Sequence, residues 1–161
     1  MVELFTIGVY GFTPSEFYER LTWAKIDIFC DIRRRRGVRG AEYAFANSAR
    51  LQAELDKLGI RYLHFLDLAP STELRKRQAS ADKKTRTARR KRTELSDEFI
   101  AGYVEERLSA FDSKAFIEQL GPAAKRAVLF CVERDPAACH RSIVAERIMQ
   151  DIGVKVTHLL P

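Results

Sequence analysis

The sequence predicts a single α/β domain whose mainly parallel, five-stranded sheet carries helices on both faces. Two observations lead to this prediction: the 161-residue chain contains five short runs of consecutive apolar residues, and amphipathic helical patterns separate them. Strands that are apolar on both sides belong to a sheet that is covered on two faces, and helical connections favour parallel pairing. We therefore expect a Rossmann-like, three-layer fold over residues 1–161.

The five apolar runs are the predicted strands. They are Leu4–Ile7, Ile26–Ile32, Ile60–Phe65, Ala127–Cys131 and Val154–Leu160. Alternation of strands with helices predicts parallel pairing but leaves the order of the strands in the sheet open.

Helix start signals lie between these strands. Thr13-Pro14-Ser15-Glu16 is a capping box with proline at the first helical position, so a helix is expected to begin there. Further helix starts are predicted at Ser48, Ser96, Ser113 and Asp135-Pro136. Gly59, Gly121 and Gly153 are the expected stops of the second, fourth and fifth helices.

Residues 69–95 fit this alternation poorly and are predicted to be a basic insertion, either a mobile loop or an exposed helix. Residues 75–92 contain ten lysines or arginines and one aspartate, so this stretch carries +9 and the rest of the chain −3. Such a charge attracts polyanions, although the stretch has no aromatic residue on which a base could stack. A non-catalytic nucleic-acid-binding module is therefore one possible function.

The chain shows no sign of export or membrane insertion. No apolar stretch approaches the roughly 18 residues of a membrane span, and the N-terminus lacks the pattern of a signal peptide. Three cysteines without an export signal indicate reduced thiols rather than a disulfide framework. A cytoplasmic protein without a membrane partner is expected.

Polar residues follow the predicted strands at the edge where their carboxyl ends should meet. Ligands bind at that edge in open parallel sheets. The predicted catalytic residues are Asp31, Cys131, Glu133 and His140. The predicted phosphate- or substrate-binding residues are Gly8, Arg33, Arg36, Cys139, Arg141 and Ser142.

Other interpretations of the same residues remain open. Asp31 and Arg33 could form a buried ion pair that only ties the edge together, and buried cysteines commonly do no more than pack. No cofactor is evident. Cys131, Cys139 and His140 are zinc-type ligands, but adjacent helical residues point about 100° apart, so zinc or redox chemistry is an alternative only.

Four segments give the chain a family resemblance. They are TIG at 6–8, DIR at 31–33, GIRYLHF at 59–65 and C-x-E-x-D-P-x-x-C-H-R-S at 131–142. With them the chain resembles, along nearly its whole length, the prokaryotic family called domain of unknown function 488. The resemblance implies a compact cytosolic α/β protein. After the TIG segment, where such proteins often have His-Ser, this chain has Val9-Tyr10.

The function predicted from these observations is that of a small enzyme acting on a phosphate-bearing substrate, either a nucleotide or a nucleic acid. Arginine forks bind phosphate, and carboxylates at strand ends handle protons or hydroxyl groups. A hydrolase or a transferase would suit these groups.

Overall fold

A computed structural model describes residues 1–161 and contains one sheet of five parallel strands. The strands are β1 (Glu3–Ile7), β2 (Ile28–Asp31), β3 (Arg61–His64), β4 (Arg126–Phe130) and β5 (Val156–Leu159). Each overlaps one of the five predicted apolar runs. The predicted fold class is confirmed.

Six α-helices cover the sheet. They are α1 (Pro14–Trp23), α2 (Ser48–Lys57), α3 (Thr72–Lys84), α4 (Asp97–Tyr103), α5 (Ser113–Leu120) and α6 (His140–Ile152). Short 3₁₀ turns include Ala41–Ala46, Arg89–Lys91 and Pro136–Ala138, and a π-turn at Val104–Leu108 extends α4. None of these helices combines the length and the apolar character needed to cross a bilayer.

Three of the five predicted helix starts are confirmed, and two shift. The capping box of α1 forms as predicted, since Thr13 Oγ1 accepts from the Glu16 amide and the Glu16 carboxylate accepts from the Thr13 amide. Ser96 likewise caps α4.

Helix α5 also begins where the sequence predicts, at Ser113, and Asp112 is its cap. In α2 the first helical residue is Ser48, so the cap position is Asn47, one residue earlier than predicted.

The largest shift concerns α6, which begins at His140 and not at Asp135. Pro136 opens only the short 3₁₀ turn. Cys139 then has extended backbone (φ −137°, ψ 143°), which separates that turn from α6. The change of start matters for the site, because it removes Cys139 from the helix.

The basic insertion contains a helix rather than a structureless loop. Ser71 caps α3 by accepting from the Leu74 amide. One face of α3 is buried through Leu74, Gln78 and Asp82, and α3 packs against α4. The segment therefore forms part of the domain.

The order β3-β2-β4-β1-β5 places a topological switch point between β2 and β4. The chain leaves β2 towards β3, at one edge of the sheet, and leaves β4 towards β5, at the other edge. Right-handed crossovers then put α1 and α2 on one face and α3 to α6 on the other. Because the two connections diverge, a crevice opens at the carboxyl ends of β2 and β4, the usual ligand position in such sheets.

Candidate functional site

A pocket of about 360 Å³ occupies this crevice. The segments that follow β2 and β4 contribute to its lining, together with residues of α3, of the 89–92 turn and of α4. Its polar and aromatic lining includes Arg33, Arg34, Arg35, Arg75, Lys76, Gln78, Asp82, Arg89, Arg92, Phe99, Cys131, Glu133, Cys139 and His140. The size is that of a pocket for a small molecule or cofactor.

The charge of the lining is strongly positive and only partly neutralised. Seven lining residues are arginine or lysine, against one aspartate and one glutamate. The two acids already pair with Arg89 and Arg92. Four lining cations form no ion pair with any carboxylate of the chain: Arg34, Arg35, Arg75 and Lys76.

Arg75 shows the effect of this crowding. Burial lowers the pKa of its guanidinium, and the neighbouring charges of Arg89 and Arg35 lower the pKa further. A cation whose nearest charged neighbours are largely cations is stabilised by any anion that enters the pocket.

Asp31 and Arg33 form the buried ion pair that the sequence left as an alternative. The two carboxylate oxygens of Asp31 accept from Arg33 Nε at 2.9 Å and Nη2 at 2.8 Å, and the Tyr62 hydroxyl donates to Oδ2 at 2.7 Å. Arg33 Nη1 donates to the Ala46 carbonyl, and its guanidinium lies over the Phe130 ring. Asp31 does not line the pocket, so its predicted catalytic role has no geometric support.

Arg141 is also buried and has a structural environment. Its Nη1 donates to the Glu133 carbonyl at 2.5 Å and its Nη2 to the Arg134 carbonyl at 3.0 Å, which holds the turn after β4. A Cβ added at Gly8 would overlap that same Glu133 carbonyl. Gly8 and Arg141 therefore position the turn from beneath and do not line the pocket.

Glu133 connects the turn after β4 to the basic segment. Its Oε1 accepts from Arg89 Nε at 3.0 Å and from Arg92 Nη2 at 3.1 Å. Arg92 also donates to Asp82, which in turn accepts from Gln78. Burial raises the pKa of the Glu133 carboxyl, although Arg89 and Arg92 oppose this shift.

Two thiols and an imidazole converge at the same pocket, and we call Cys131, Cys139 and His140 the Cys–His cluster. The two sulfur atoms lie 3.7 and 3.9 Å from His140 Nδ1, and all three ligand atoms lie within 4.8 Å of one another. His140 Nε2 is 3.1 Å from the Ile32 carbonyl. A carbonyl can only accept, so Nε2 carries a proton, and Nδ1 is the ring atom that faces the two sulfur atoms.

The two thiols differ in acidity. Burial opposes ionisation of Cys139, but its hydrogen bond with Cys131 and the charges of Arg141 and His140 outweigh burial and hold its pKa well below the ordinary value. The same hydrogen bond, together with burial, holds the pKa of Cys131 well above its ordinary value. Cys139 is therefore the more acidic of the two thiols.

The remaining predicted residues lie at the margin. Arg36 is exposed and does not line the pocket. Ser142 donates through its hydroxyl to the Cys139 carbonyl in the first turn of α6. Of the predicted residues, Arg33, Cys131, Glu133, Cys139 and His140 line the pocket, and Gly8, Asp31, Arg36, Arg141 and Ser142 do not.

The prediction missed the pocket residues of the basic segment. Arg75, Gln78, Asp82, Arg89 and Arg92 come from a stretch that the sequence presents as one solvated charge run. A signal was available: Ser71 is a cap, and Leu74, Gln78 and Asp82 recur every four residues, which is the spacing of one helix face.

A larger and shallower groove of about 970 Å³ lies between α1 and α2. Its lining includes Tyr18, Trp23, Phe45 and Leu58. Glu19, Arg50 and Glu54 also line it, but no cysteine or histidine does. We place the functional site in the smaller pocket because the reactive side chains converge there.

Comparison with known proteins identifies a family and no individual relative. The family described as domain of unknown function DUF488 matches residues 13–148 of the 161-residue chain. No curated protein and no solved structure shows significant similarity to the chain. The matched range extends from α1 into α6 and contains all the residues of the Cys–His cluster. The chain therefore belongs to the DUF488 family.

Proposed function

We propose that the protein is an enzyme that binds a phosphate-bearing substrate of nucleotide size in the pocket between β2 and β4. The observation that carries this proposal is the group of lining cations without an acidic partner, which surrounds a floor made of thiols, an imidazole and a carboxyl group. Unneutralised charge attracts an anion, and the reactive floor supplies groups for chemistry.

The substrate phosphate is assigned to Arg35 and Arg75. Their side chains line the pocket and form no ion pair, so their guanidinium groups are free to donate to phosphate oxygens. Arg89 and Arg92 have a different role, because they pair with the Glu133 carboxylate and hold it in place.

The Cys–His cluster and Glu133 are the groups that would act on the substrate. They lie together at the carboxyl end of β4, and His140 is oriented by the Ile32 carbonyl. Hydrolysis or transfer at a phosphoryl or N-glycosidic centre suits these groups, since either reaction needs proton exchange beside a bound phosphate.

Titration calorimetry with pyrophosphate and with nucleoside mono- and diphosphates tests the proposal. Wild-type protein should bind at least one of these probes, and Arg75→Ala should weaken that binding by about tenfold or more, the value of a lost charged hydrogen bond. Arg50→Ala is the matched control, because Arg50 is exposed and unpaired in the groove between α1 and α2. Absence of wild-type binding, or equal losses in the two variants, would contradict the proposal.

A nucleic-acid-binding module is the second candidate, and exposed lysines and arginines favour it. Lys83, Lys84, Arg86 and Lys91 are exposed and form no ion pair. Deleting residues 75–92 would remove a wall of the pocket, so substitution of these four residues by glutamate separates the candidates better. If the protein is a nucleic-acid-binding module, this variant should lose salt-dependent binding to single-stranded DNA. If it is the proposed enzyme, the variant should bind the small phosphate probe as the wild type does.

A further inference from the structure

We propose that the Cys–His cluster is a binding site for one divalent zinc-type metal ion, held by Cys131 Sγ, Cys139 Sγ and His140 Nδ1. The proposal goes beyond anion binding in the pocket and does not depend on it. It assigns a ligand of a different chemical class to the floor of the same pocket.

The distances within the cluster are close to those of a metal site. A tetrahedral zinc ion with bonds of about 2.3 Å to sulfur and about 2.0–2.1 Å to nitrogen separates a sulfur from the nitrogen by about 3.6 Å and the two sulfur atoms by about 3.8 Å. The two sulfur atoms lie 3.7 and 3.9 Å from His140 Nδ1, and the complete set of three falls within 4.8 Å. Small side-chain adjustments would bring all three atoms to bonding distance from one central ion.

The orientation of the ligands also fits metal binding. A histidine that binds a metal usually donates its other ring N–H to a carbonyl or carboxylate, as His140 does to Ile32. The objection that neighbouring helical residues diverge does not apply, since Cys139 has extended backbone and only His140 is helical. The turn after β4 thus brings Cys131 and Cys139 back to one point.

The three ligands leave one coordination position, and they all line the pocket. Three protein ligands with an open position are typical of catalytic zinc, whereas structural sites are closed by four. Glu133 Oε2 lies 3.9 Å from Cys131 Sγ, and Arg89 and Arg92 hold the other oxygen of that carboxyl group. Glu133 therefore lies beside the cluster with Oε2 free of an arginine partner, so this oxygen could accept a hydrogen bond from a water molecule or a substrate hydroxyl bound at the site.

Two measurements on the wild-type chain test the proposal. Protein purified without chelator should contain about one zinc per chain by elemental analysis. After removal of the metal and addition of Co²⁺, the spectrum should show thiolate-to-cobalt charge transfer and the intense visible bands of tetrahedral cobalt. A folded wild-type chain that takes up neither ion in stoichiometric amount would overturn the inference.

Variants then locate the site. Cys131→Ala, Cys139→Ala and His140→Ala should each weaken zinc binding by more than about 100-fold, since loss even of an outer partner costs 10- to 100-fold. Cys30→Ala is the matched control, because Cys30 is an equally buried thiol of β2 outside the cluster. Circular dichroism identifies any variant that does not fold, and the wild-type cobalt spectrum decides the question in that case.

The result also separates this inference from the proposed function. Pyrophosphate binding without metal binding would refute the metal site and leave the phosphate proposal standing. Metal binding without affinity for any phosphate probe would do the reverse.

Discussion

Two sets of arginines at the carboxyl edge of the sheet have different environments. Arg33 and Arg141 are almost completely buried, and their donors are bound to Asp31 and to backbone carbonyls. Arg35 and Arg75 line the pocket, as Arg33 also does, but they form no ion pair. Position after a strand therefore does not distinguish an arginine of the scaffold from one that is free for a ligand; the acceptors around it do.

The difference is energetic as well as geometric. A buried guanidinium has lost its water and depends on every acceptor that replaces it, so its removal leaves those acceptors unpaired. A pocket arginine that is partly in water has little to lose in the free protein. The first set should therefore control stability, and the second should control affinity.

The largest expected effect on stability is that of Arg33→Ala. This substitution leaves the Asp31 carboxylate buried without its cation and should lower the free energy of unfolding by about 3–5 kcal/mol. Arg35 is two residues further along the chain and its side chain is exposed. Arg35→Ala should therefore change the free energy of unfolding by no more than about 0.5 kcal/mol. Urea unfolding of both variants measures the difference. Similar losses in the two variants would show that the distinction between the two sets is wrong.

A smaller effect is expected for Gly8→Ala, which tests the packing beneath Arg141. The new methyl group would overlap the Glu133 carbonyl and approach the Arg141 guanidinium, so the turn after β4 must shift. Overpacking of this kind costs about 1–3 kcal/mol. Gly37→Ala is the control, because its methyl group would meet only the Asn47 side chain at 3.6 Å. A neutral Gly8→Ala in thermal or urea unfolding would contradict the close packing described here.

The fold was largely predictable from the sequence, because apolar runs and caps are local signals. The buried strands β2 and β4 and the capping box at Thr13 illustrate this. The order of the strands was not predictable, since it depends on which runs pair at a distance. Helix α3 was predicted only as one of two alternatives, because the positions it buries include Gln78 and Asp82, whose partners Ser96 and Arg92 come later in the chain.

Part of the candidate site was predictable from the sequence. The rule for parallel sheets predicts a site at the carboxyl ends of the strands, and a pocket lies there, lined by the residues at 131, 133, 139 and 140. The environment of each arginine was not predictable, because a sequence shows a donor but not its acceptor. Arg33 lines the pocket but pairs with Asp31, whereas Arg75, from the predicted basic insertion, lines the pocket without an ion pair.

The smallest effect concerns His158, which lies close enough to Arg141 to sense its charge. Burial lowers the pKa of His158, and the Arg141 cation lowers it further. The Thr6 hydroxyl forms hydrogen bonds with both side chains. The ordinary pKa of 6.5 applies in the unfolded chain, so on acidification the unfolded state binds the proton first. Stability contributed by neutral His158 is therefore present above about pH 6.5 and is lost as the pH falls through the lower pKa of the folded state.

Wild-type protein should accordingly lose more unfolding free energy between about pH 7.5 and pH 5 than His158→Gln, a variant that cannot be protonated in this range. The difference should be modest, because the ring is partly exposed and solvent weakens its interaction with Arg141. Urea unfolding at a series of pH values measures it. Parallel stability curves for the two proteins, or a smaller loss in the wild type, would mean that the Arg141 charge is better compensated than its contacts with carbonyls indicate. The buried arginine would then differ less from those of the pocket.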